Sequence, residues 1–145
     1  MAIKLVFLSN HFYNQHPSSK FPEIEQKRNR PYAMLLIKTQ GNTWALPFRS
    51  HIKHTNSHWT NKASGCGIDF TKAVWIDPSI DIEKKKTPYL RPEEYNTLKT
   101  ANTTDIEREF LRYIKNYKRA KKSQHPRYRQ MLAFSTLQYF EDKLN

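Results

Sequence analysis

The apolar residues in the first half of the chain occur in short runs separated by longer polar stretches. A short apolar run bounded by turn residues is typical of a buried β-strand. On this basis we predict four strands, at residues 3–8, 32–38, 43–48 and 73–77. The polar stretches between them are predicted to be loops, at residues 10–30 and 50–68.

Turn residues refine the second and third of these strands. Gln40-Gly41-Asn42 lies between them, and its Gly-Asn pair predicts a hairpin because glycine tolerates positive φ. Pro47 cannot donate a hydrogen bond to a neighbouring strand, so it predicts a sheet edge or the end of its strand.

The second half of the chain has helical spacing. Pro92 precedes two glutamates and predicts a short helix, because proline suits the first turn and acids complement the helix dipole. Thr104 and Glu107 have the spacing of a capping box. The apolar residues that follow share one face of a long helix: Ile106, Phe110, Tyr113, Ile114 and Tyr117. A further helix is predicted after Pro126.

These patterns predict an α+β protein with a small curled antiparallel sheet, or partial barrel, and helices packed on it. Its C-terminal half is predicted to be helical, and residues 1–145 are expected to form a single domain. A lone cysteine, Cys66, excludes an internal disulfide. No apolar run approaches the length of a membrane span, and the N-terminus predicts a strand rather than a signal peptide. We therefore expect a cytoplasmic protein.

The composition adds an indication of the partner. The chain has 25 Lys and Arg residues against 13 Asp and Glu, a formal net charge of +12. Such a charge is an argument about partners rather than about fold, and it favours nucleic acid over an anionic membrane surface. With only three glycines, the chain contains neither of the glycine-rich loops that bind nucleotide phosphates, and no cofactor is expected.

The segment from Gln26 to Ile68 contains no Asp or Glu. Because such a segment repels itself unless an anion is bound, we interpret it as a groove that follows a phosphate backbone. A solvated basic face is the alternative. Its permanent cations are Lys27, Arg28, Arg30, Lys38, Arg49, Lys53 and Lys62, and its histidines are His51, His54 and His58.

The absence of acids also bears on mechanism. A magnesium nuclease needs carboxylates to hold its ions, and this basic segment supplies none. If the chain cuts nucleic acid, we expect it to cut RNA without metal, because the 2′-OH of RNA can attack the adjacent phosphate. The protein then needs to align the attack, move protons and stabilise the charged phosphate.

Arg49, Ser50 and His51 follow the strand predicted at residues 43–48 and form the candidate catalytic group, with Lys53 and His54 just beyond. Arg49 can bind phosphate oxygens in a bidentate way. His51 or His54 can act as acid or base. Ser50 can donate a hydrogen bond to the scissile phosphate, and its alternative role is that of a turn residue that bonds its own backbone.

A zinc site is a competing interpretation of the same region. His51, His54, His58 and Cys66 have the atom types of a tetrahedral zinc site. Their spacing matches none of the paired zinc motifs, so we predict no metal site.

A second basic cluster, free of acids, spans the end of the long helix and the start of the next. Cations at a helix C-terminus complement its dipole, but their number exceeds that need and favours contact with phosphates. Tyr117 and Tyr128 lie among them and either stack on bases or belong to the core. The cluster comprises Lys115, Lys118, Arg119, Lys121, Lys122, Arg127 and Arg129.

Three segments resemble the ribonuclease toxins of type III toxin–antitoxin systems, the ToxN/AbiQ superfamily, and within it most closely the TenpIN branch. The first, Arg30 to Ser50, has an apolar strand, a Gln-Gly hairpin and a second strand that ends in a proline, followed three residues on by serine. The second is Lys62-Ala-Ser-Gly-Cys-Gly-Ile-Asp-Phe-Thr-Lys-Ala-Val74, and the third runs from Tyr128 to Phe140. The resemblance rests on these segments occurring in this order.

The resemblance implies a MazF-like curled sheet and metal-independent, sequence-preferring RNA cleavage that leaves a 2′,3′-cyclic phosphate and a 5′-OH. It implies as partner a small RNA antitoxin, a pseudoknot made from a tandem-repeat precursor that the toxin processes. The active-site serine of the family falls on Ser50, and its strand lysine falls on Arg30, or on Lys27 in a shifted register. Where the family uses lysine, His51 or His54 is expected to replace it.

The main alternative is a non-catalytic RNA- or DNA-binding module. It explains the net charge but not the grouping of Arg49, Ser50 and His51 at a strand end. A basic peripheral membrane protein is disfavoured, because no lysine-rich amphipathic helix with an exposed apolar face is evident.

Overall fold

The structure, a computed structural model, describes residues 4–26, 33–86, 88, 92 and 103–144. The strands are β1 (Leu5–Leu8), β2 (Met34–Thr39), β3 (Asn42–Arg49), β4 (Ser57–Asn61), β5 (Cys66–Asp69), β6 (Val74–Ile76) and β7 (Ile82–Glu83). The helices are α1 (Asn10–Gln15), α2 (Thr103–Ser123) and α3 (Arg129–Phe134). Short 3₁₀ turns at 62–64, 70–72, 126–128, 136–139 and 141–143 complete the regular structure.

All seven strands belong to one antiparallel sheet with the hydrogen-bonded order β4-β5-β3-β2-β1-β7. The remaining strand, β6, pairs with β3 beside this path. The sheet is curled and unclosed, and the described part of the C-terminal half is helical. The predicted α+β class, with a curled antiparallel sheet and a helical C-terminal half, is therefore confirmed.

The β2–β3 hairpin has a two-residue turn. Gln40 and Gly41 have φ angles of 53° and 79°, and Asn42 already pairs with Thr39. Positive φ at both turn positions is what a type I′ turn requires, because its twist matches that of the strands it joins. The turn therefore lies one residue earlier than the Gly-Asn pair suggested.

Pro47 lies inside β3, so the predicted sheet edge or strand end at this residue is wrong. On one side β3 pairs with β2 throughout, and Pro47 lies opposite Met34. On the other side β3 pairs with β6 up to Ala45 and with β5 from Phe48 onward. Pro47 occupies the gap between these two partners, where no strand needs the hydrogen bond that proline cannot donate.

Both polar stretches that were predicted to be loops contain regular structure. Within residues 10–30, α1 begins after Ser9, whose side chain accepts a hydrogen bond from the N–H of Phe12 at 3.3 Å. Within residues 50–68, β4 and β5 form an antiparallel pair with an irregularity between Trp59 and Asn61. The loop predictions fail because these elements are short, and β4 lacks the alternation of polar and apolar residues that marks a strand.

The core lies between the sheet and the helices. The predicted apolar face of α2 is confirmed, because Ile106, Phe110, Tyr113, Ile114 and Tyr117 are all buried. The ring of Trp44, on β3, lies 5.6 Å from that of Phe110 in an edge-to-face arrangement. Buried residues of the sheet, α1 and α2 form one apolar cluster. Among the described helices, none combines the length and apolar character needed to cross a bilayer. Of the short helix predicted from Pro92, the structure describes Pro92 alone, and the residues that follow it lie outside those described.

Candidate active site

A buried carboxylate lies beneath the loop that follows β3. Asp69, the last residue of β5, has a side chain with no exposed surface. One of its oxygens accepts hydrogen bonds from the backbone N–H and the hydroxyl of Thr71, at 2.9 and 2.6 Å. Its other oxygen accepts one from Nη1 of Arg49 at 2.7 Å. His54 Nε2 lies 3.2 Å from the oxygen that Thr71 contacts. Asp69 thus holds both Arg49 and His54, which flank the loop of residues 50–53. We call this loop the β3 loop.

The hydrogen bonds of His54 define which of its nitrogens carries the proton. Nδ1 accepts a hydrogen bond from the backbone N–H of Asn56 at 3.1 Å. Since an accepting nitrogen carries no proton, Nε2 carries it and donates to Asp69. Both ring nitrogens of His54 are therefore engaged inside the protein, which favours a positioning role over proton transfer to a ligand.

Asp69 is ionised in this network. Burial by itself raises the pKa of its carboxyl, but the hydrogen bonds from His54, Thr71 and Arg49 lower the pKa below its ordinary value. The loop that follows β3 is consequently held by a permanent negative charge over the neutral pH range.

Arg49 is neutralised by the two acids that border the acid-free segment. Besides the bond to Asp69, its Nη2 lies 2.7 Å from Oε1 of Glu25. Its side chain is 26% exposed. The two carboxylates compensate the charge of Arg49 within the fold. They also engage both terminal nitrogens of its guanidinium, which makes bidentate binding of phosphate by Arg49 less favourable than the sequence predicts.

The loop between these anchors exposes its polar side chains. Ser50, His51 and Lys53 are exposed and form no hydrogen bond or ion pair with the described residues, whereas Ile52 is buried. The backbone N–H of Ile52 donates to the carbonyl of Gly65 at 2.9 Å. His51 has a φ of 58°, which is uncommon for a residue with a side chain and indicates a tightly constrained turn. The fold therefore presents a hydroxyl, an imidazole and an ammonium group to solvent.

The other residues predicted to line this site are divided between described and undescribed parts of the chain. Lys27, Arg28 and Arg30 lie outside the described residues. Lys62 is exposed at the start of the 3₁₀ turn between β4 and β5. The structure therefore brings Arg49, Ser50, His51, Lys53 and His54 together around one loop, with Arg49 and His54 on its inner side.

The four residues considered for zinc do not come together. His58 Nδ1 lies 3.0 Å from Oε2 of Glu109 on α2, and the Cys66 thiol is buried beside Ser64, whose Oγ lies 3.5 Å from Sγ. No group of three or more His, Cys, Asp or Glu side chains among the described residues is arranged to hold a metal ion.

The second basic cluster occupies a different part of the surface. An open groove of about 630 Å³ runs along α2 beside the β2–β3 turn. Its lining consists of Gln40, the apolar residues Leu111 and Ile114, and the cations Lys115, Lys118, Arg119 and Lys122. We call it the α2 groove. It is larger than the cavity of about 20 Å³ that Arg49 and Glu25 help to line.

The remaining members of that cluster have other roles. Lys121 forms an ion pair with Glu141 at 3.1 Å. Arg127 donates to the hydroxyl of Tyr128 at 2.6 Å, and Arg129 begins α3 with an exposed side chain. Tyr117 is buried and donates to Glu141 at 2.7 Å, so it belongs to the core and cannot stack on a base. Burial and the neighbouring carboxylate raise its pKa, so the phenol stays neutral.

Sequence reasoning missed the acids of the site. Asp69 and Glu25 border the acid-free segment and are not among the predicted site residues, although both bind Arg49. A signal was present, because Asp69 ends an apolar strand and is followed two residues later by Thr71, the spacing of a side-chain cap.

No known protein family, curated protein or solved structure matches this chain.

Proposed function

We propose that this protein is a metal-independent endoribonuclease toxin of a type III toxin–antitoxin system that acts in the cytoplasm. The observation that carries the proposal is the loop after β3. It exposes Ser50, His51 and Lys53, while the buried Asp69 holds Arg49 and His54 on either side of it. Hydrogen bonds also join the three segments on which the resemblance rests. Arg49, from the first segment, donates to Asp69 in the second, and Thr136, from the third, donates to the carbonyl of Ala73 in the second.

The chemistry needs only groups that this loop supplies. The 2′-OH of RNA loses its proton to a base and attacks the adjacent phosphorus, a P–O2′ bond forms, and the P–O5′ bond breaks. The departing O5′ takes up a proton, which leaves a 2′,3′-cyclic phosphate and a 5′-OH. An exposed imidazole serves this proton transfer because histidine both accepts and donates protons near neutral pH.

Each exposed side chain then has a distinct role. His51 transfers protons, because both nitrogens of His54 are engaged by Asn56 and Asp69. Ser50 donates a hydrogen bond to a non-bridging oxygen of the scissile phosphate, and Lys53 supplies positive charge as the pentacoordinate phosphate forms. Arg49 and His54 are positioning residues in this scheme. The role that the resemblance implies for Arg30 remains a prediction.

Inhibition by RNA follows from the same surface. A structured RNA antitoxin that the toxin has itself cut carries the end groups of the product, so it fits the loop as product does. Its phosphates also offset the net charge of +12. The complex is expected to weaken steeply as salt is added, because binding releases counterions from the RNA.

A non-catalytic RNA-binding module is the second candidate. The α2 groove favours it, because this larger basic surface is distinct from the β3 loop. Cleavage distinguishes the two candidates, since both bind RNA.

The test is incubation of the purified chain with total RNA in EDTA, followed by sequencing of the fragment ends. The matched variants are Ser50→Ala and Ser19→Ala, of which the latter removes an exposed hydroxyl from a turn distant in sequence. We expect discrete cuts with cyclic-phosphate ends from the native chain and from Ser19→Ala, and none from Ser50→Ala. If the folded, RNA-free native chain makes no cuts, the binding module becomes the better account. Full activity of Ser50→Ala would remove Ser50 from the mechanism.

A further inference from the structure

The α2 groove contains more positive charge than interaction with the helix dipole explains. Lys115, Lys118, Arg119 and Lys122 form no hydrogen bond or ion pair with any described residue. The stabilising effect of a helix dipole on cations is confined to the last turn. Since α2 ends at Ser123, that effect applies to Lys122 but not to the other three.

The spacing of these cations is unfavourable for an isolated helix. Each lies three or four residues from two others of the set, and like charges at that spacing destabilise a helix. Glu141, an acid that contacts α2, is already engaged by Lys121 and Tyr117 of that helix. A ridge of four cations that no described acid compensates extends along about 10 Å of the helix. It therefore indicates an anionic ligand outside the protein.

The floor of the groove indicates what kind of anion binds there. Leu111 and Ile114 line it together with the exposed Gln40 at the tip of the β2–β3 turn. A nucleic acid strand combines regularly spaced phosphate charges with the flat apolar faces of its bases. Its phosphates would contact the row of cations, and its bases would contact the apolar side chains beside that row. The amide of Gln40 can bond to a base edge.

We propose that the α2 groove is a second RNA-binding site that holds the sugar–phosphate backbone away from the β3 loop. The inference rests on the proposed function in that RNA is the ligand of both sites. The groove adjoins the start of β3 and the catalytic loop follows its end, and the eight residues between them span roughly 23 Å at about 3.3 Å per residue. An RNA must therefore be longer than a few nucleotides to contact both sites, so the groove selects long or folded RNA.

The test compares the binding of two RNA pools by Ser50→Ala chains, which keeps the RNA intact. The probes are fluorescent random pools of 8 and 30 nucleotides. The groove variant carries Lys118→Gln and Arg119→Gln. The control carries Lys4→Gln and Lys20→Gln, which change the net charge equally at exposed positions outside the groove.

We expect the affinity advantage of the 30-nucleotide pool over the 8-nucleotide pool to fall at least tenfold in the groove variant and less than twofold in the control. The slope of log affinity against log salt should fall by about 1.4 for the long pool, since each lost phosphate contact removes about 0.7. An unchanged length advantage in the groove variant would overturn the proposal. So would displacement of the long RNA by poly-glutamate at equal charge, which would indicate an acidic peptide as the occupant. Cleavage is tested separately, by incubating the native chain with the same two pools. If it cuts neither pool, the proposed cleavage fails, while the binding comparison still decides whether the groove holds RNA.

Discussion

At the residue scale, the two histidines of the β3 loop differ in their surroundings although they lie three residues apart. His51 is exposed and without a partner among the described residues, whereas His54 bonds through both nitrogens. A histidine that transfers protons to a substrate needs a free ring nitrogen, so the account assigns this step to His51.

Substitution of the two histidines separates these roles. His51→Asn is the suitable change at the first position, because asparagine tolerates the positive φ found there. We expect it to lower the cleavage rate by about 10²–10⁴-fold and to leave the urea unfolding curve unchanged. His54→Ala should instead cost about 1–3 kcal/mol of stability, because Asp69 loses a donor.

The conservative variant His54→Gln serves as the control for that assignment. Its amide can still donate to Asp69, so cleavage and stability should both return close to native values. If His54→Gln is as inactive as His51→Asn while remaining stable, His54 transfers the proton and the assignment is wrong.

Asp69 couples the stability of the site to pH. Its pKa is lowered in the folded protein, so the folded state binds fewer protons than the unfolded state as pH falls into the acid range. The stability that Asp69 contributes is therefore fully present above the unfolded pKa near 3.8 and is lost as pH falls through the lowered value.

The variant Asp69→Asn removes this contribution. We expect it to cost about 3 kcal/mol at pH 7, because Arg49 and His54 lose a buried charged partner. Urea unfolding between pH 3 and pH 7 should show a smaller loss of stability on acidification than in the native chain. An equally steep loss in Asp69→Asn would mean that other carboxylates govern acid unfolding.

At the element scale, the sequence predicted the elements whose hydrophobic pattern is strong. β2, β3, β6 and the apolar face of α2 occur where long or regular apolar runs predicted them. The sequence did not predict α1, β4 and β5 because all three are short. α1 and β4 are largely polar, and β5 is buried at every position, so none of them has the periodic alternation that marks a helix or a strand. Their formation depends on tertiary contacts, such as the pairing of β5 with β3 that brings Asp69 to Arg49.

The candidate site was predictable only in part for the same reason. The grouping of Ser50, His51 and Lys53 at a strand end is visible in the sequence. The acids that bind Arg49 are Glu25 and Asp69, which lie 24 and 20 residues from it along the chain. Only the folded topology joins them.

Helix α2 offers a test of whether its cations serve binding rather than folding. Lys118→Glu replaces a cation that has Lys115, Lys121 and Lys122 three or four residues away on the helix, and so converts three repulsions into attractions of about 0.2–0.5 kcal/mol each. We expect the variant to melt at a slightly higher temperature than the native chain and to bind RNA more weakly. A lower melting temperature would indicate that Lys118 stabilises the fold.

At the scale of the whole molecule, the chain divides its positive charge between two surfaces. The β3 loop carries the groups that we propose for the chemistry, and the α2 groove carries a ridge of cations that no acid in the described part of the chain compensates. A net charge of +12 opposes compaction of the chain by self-repulsion. A polyanionic partner that covers both surfaces relieves this repulsion, and we therefore expect the protein to be more stable when it is bound to RNA.

The central claim, cleavage through the 2′-OH at the β3 loop, is tested most directly with a single atom of the substrate. An RNA oligonucleotide that contains one cut site mapped from total RNA is compared with the same oligonucleotide carrying a 2′-deoxyribose immediately 5′ of the scissile phosphate, both in EDTA. We expect the native chain to cut the first to a 2′,3′-cyclic phosphate and to leave the second intact. Cleavage of the deoxy-substituted oligonucleotide, or cleavage that requires a divalent metal ion, would contradict it.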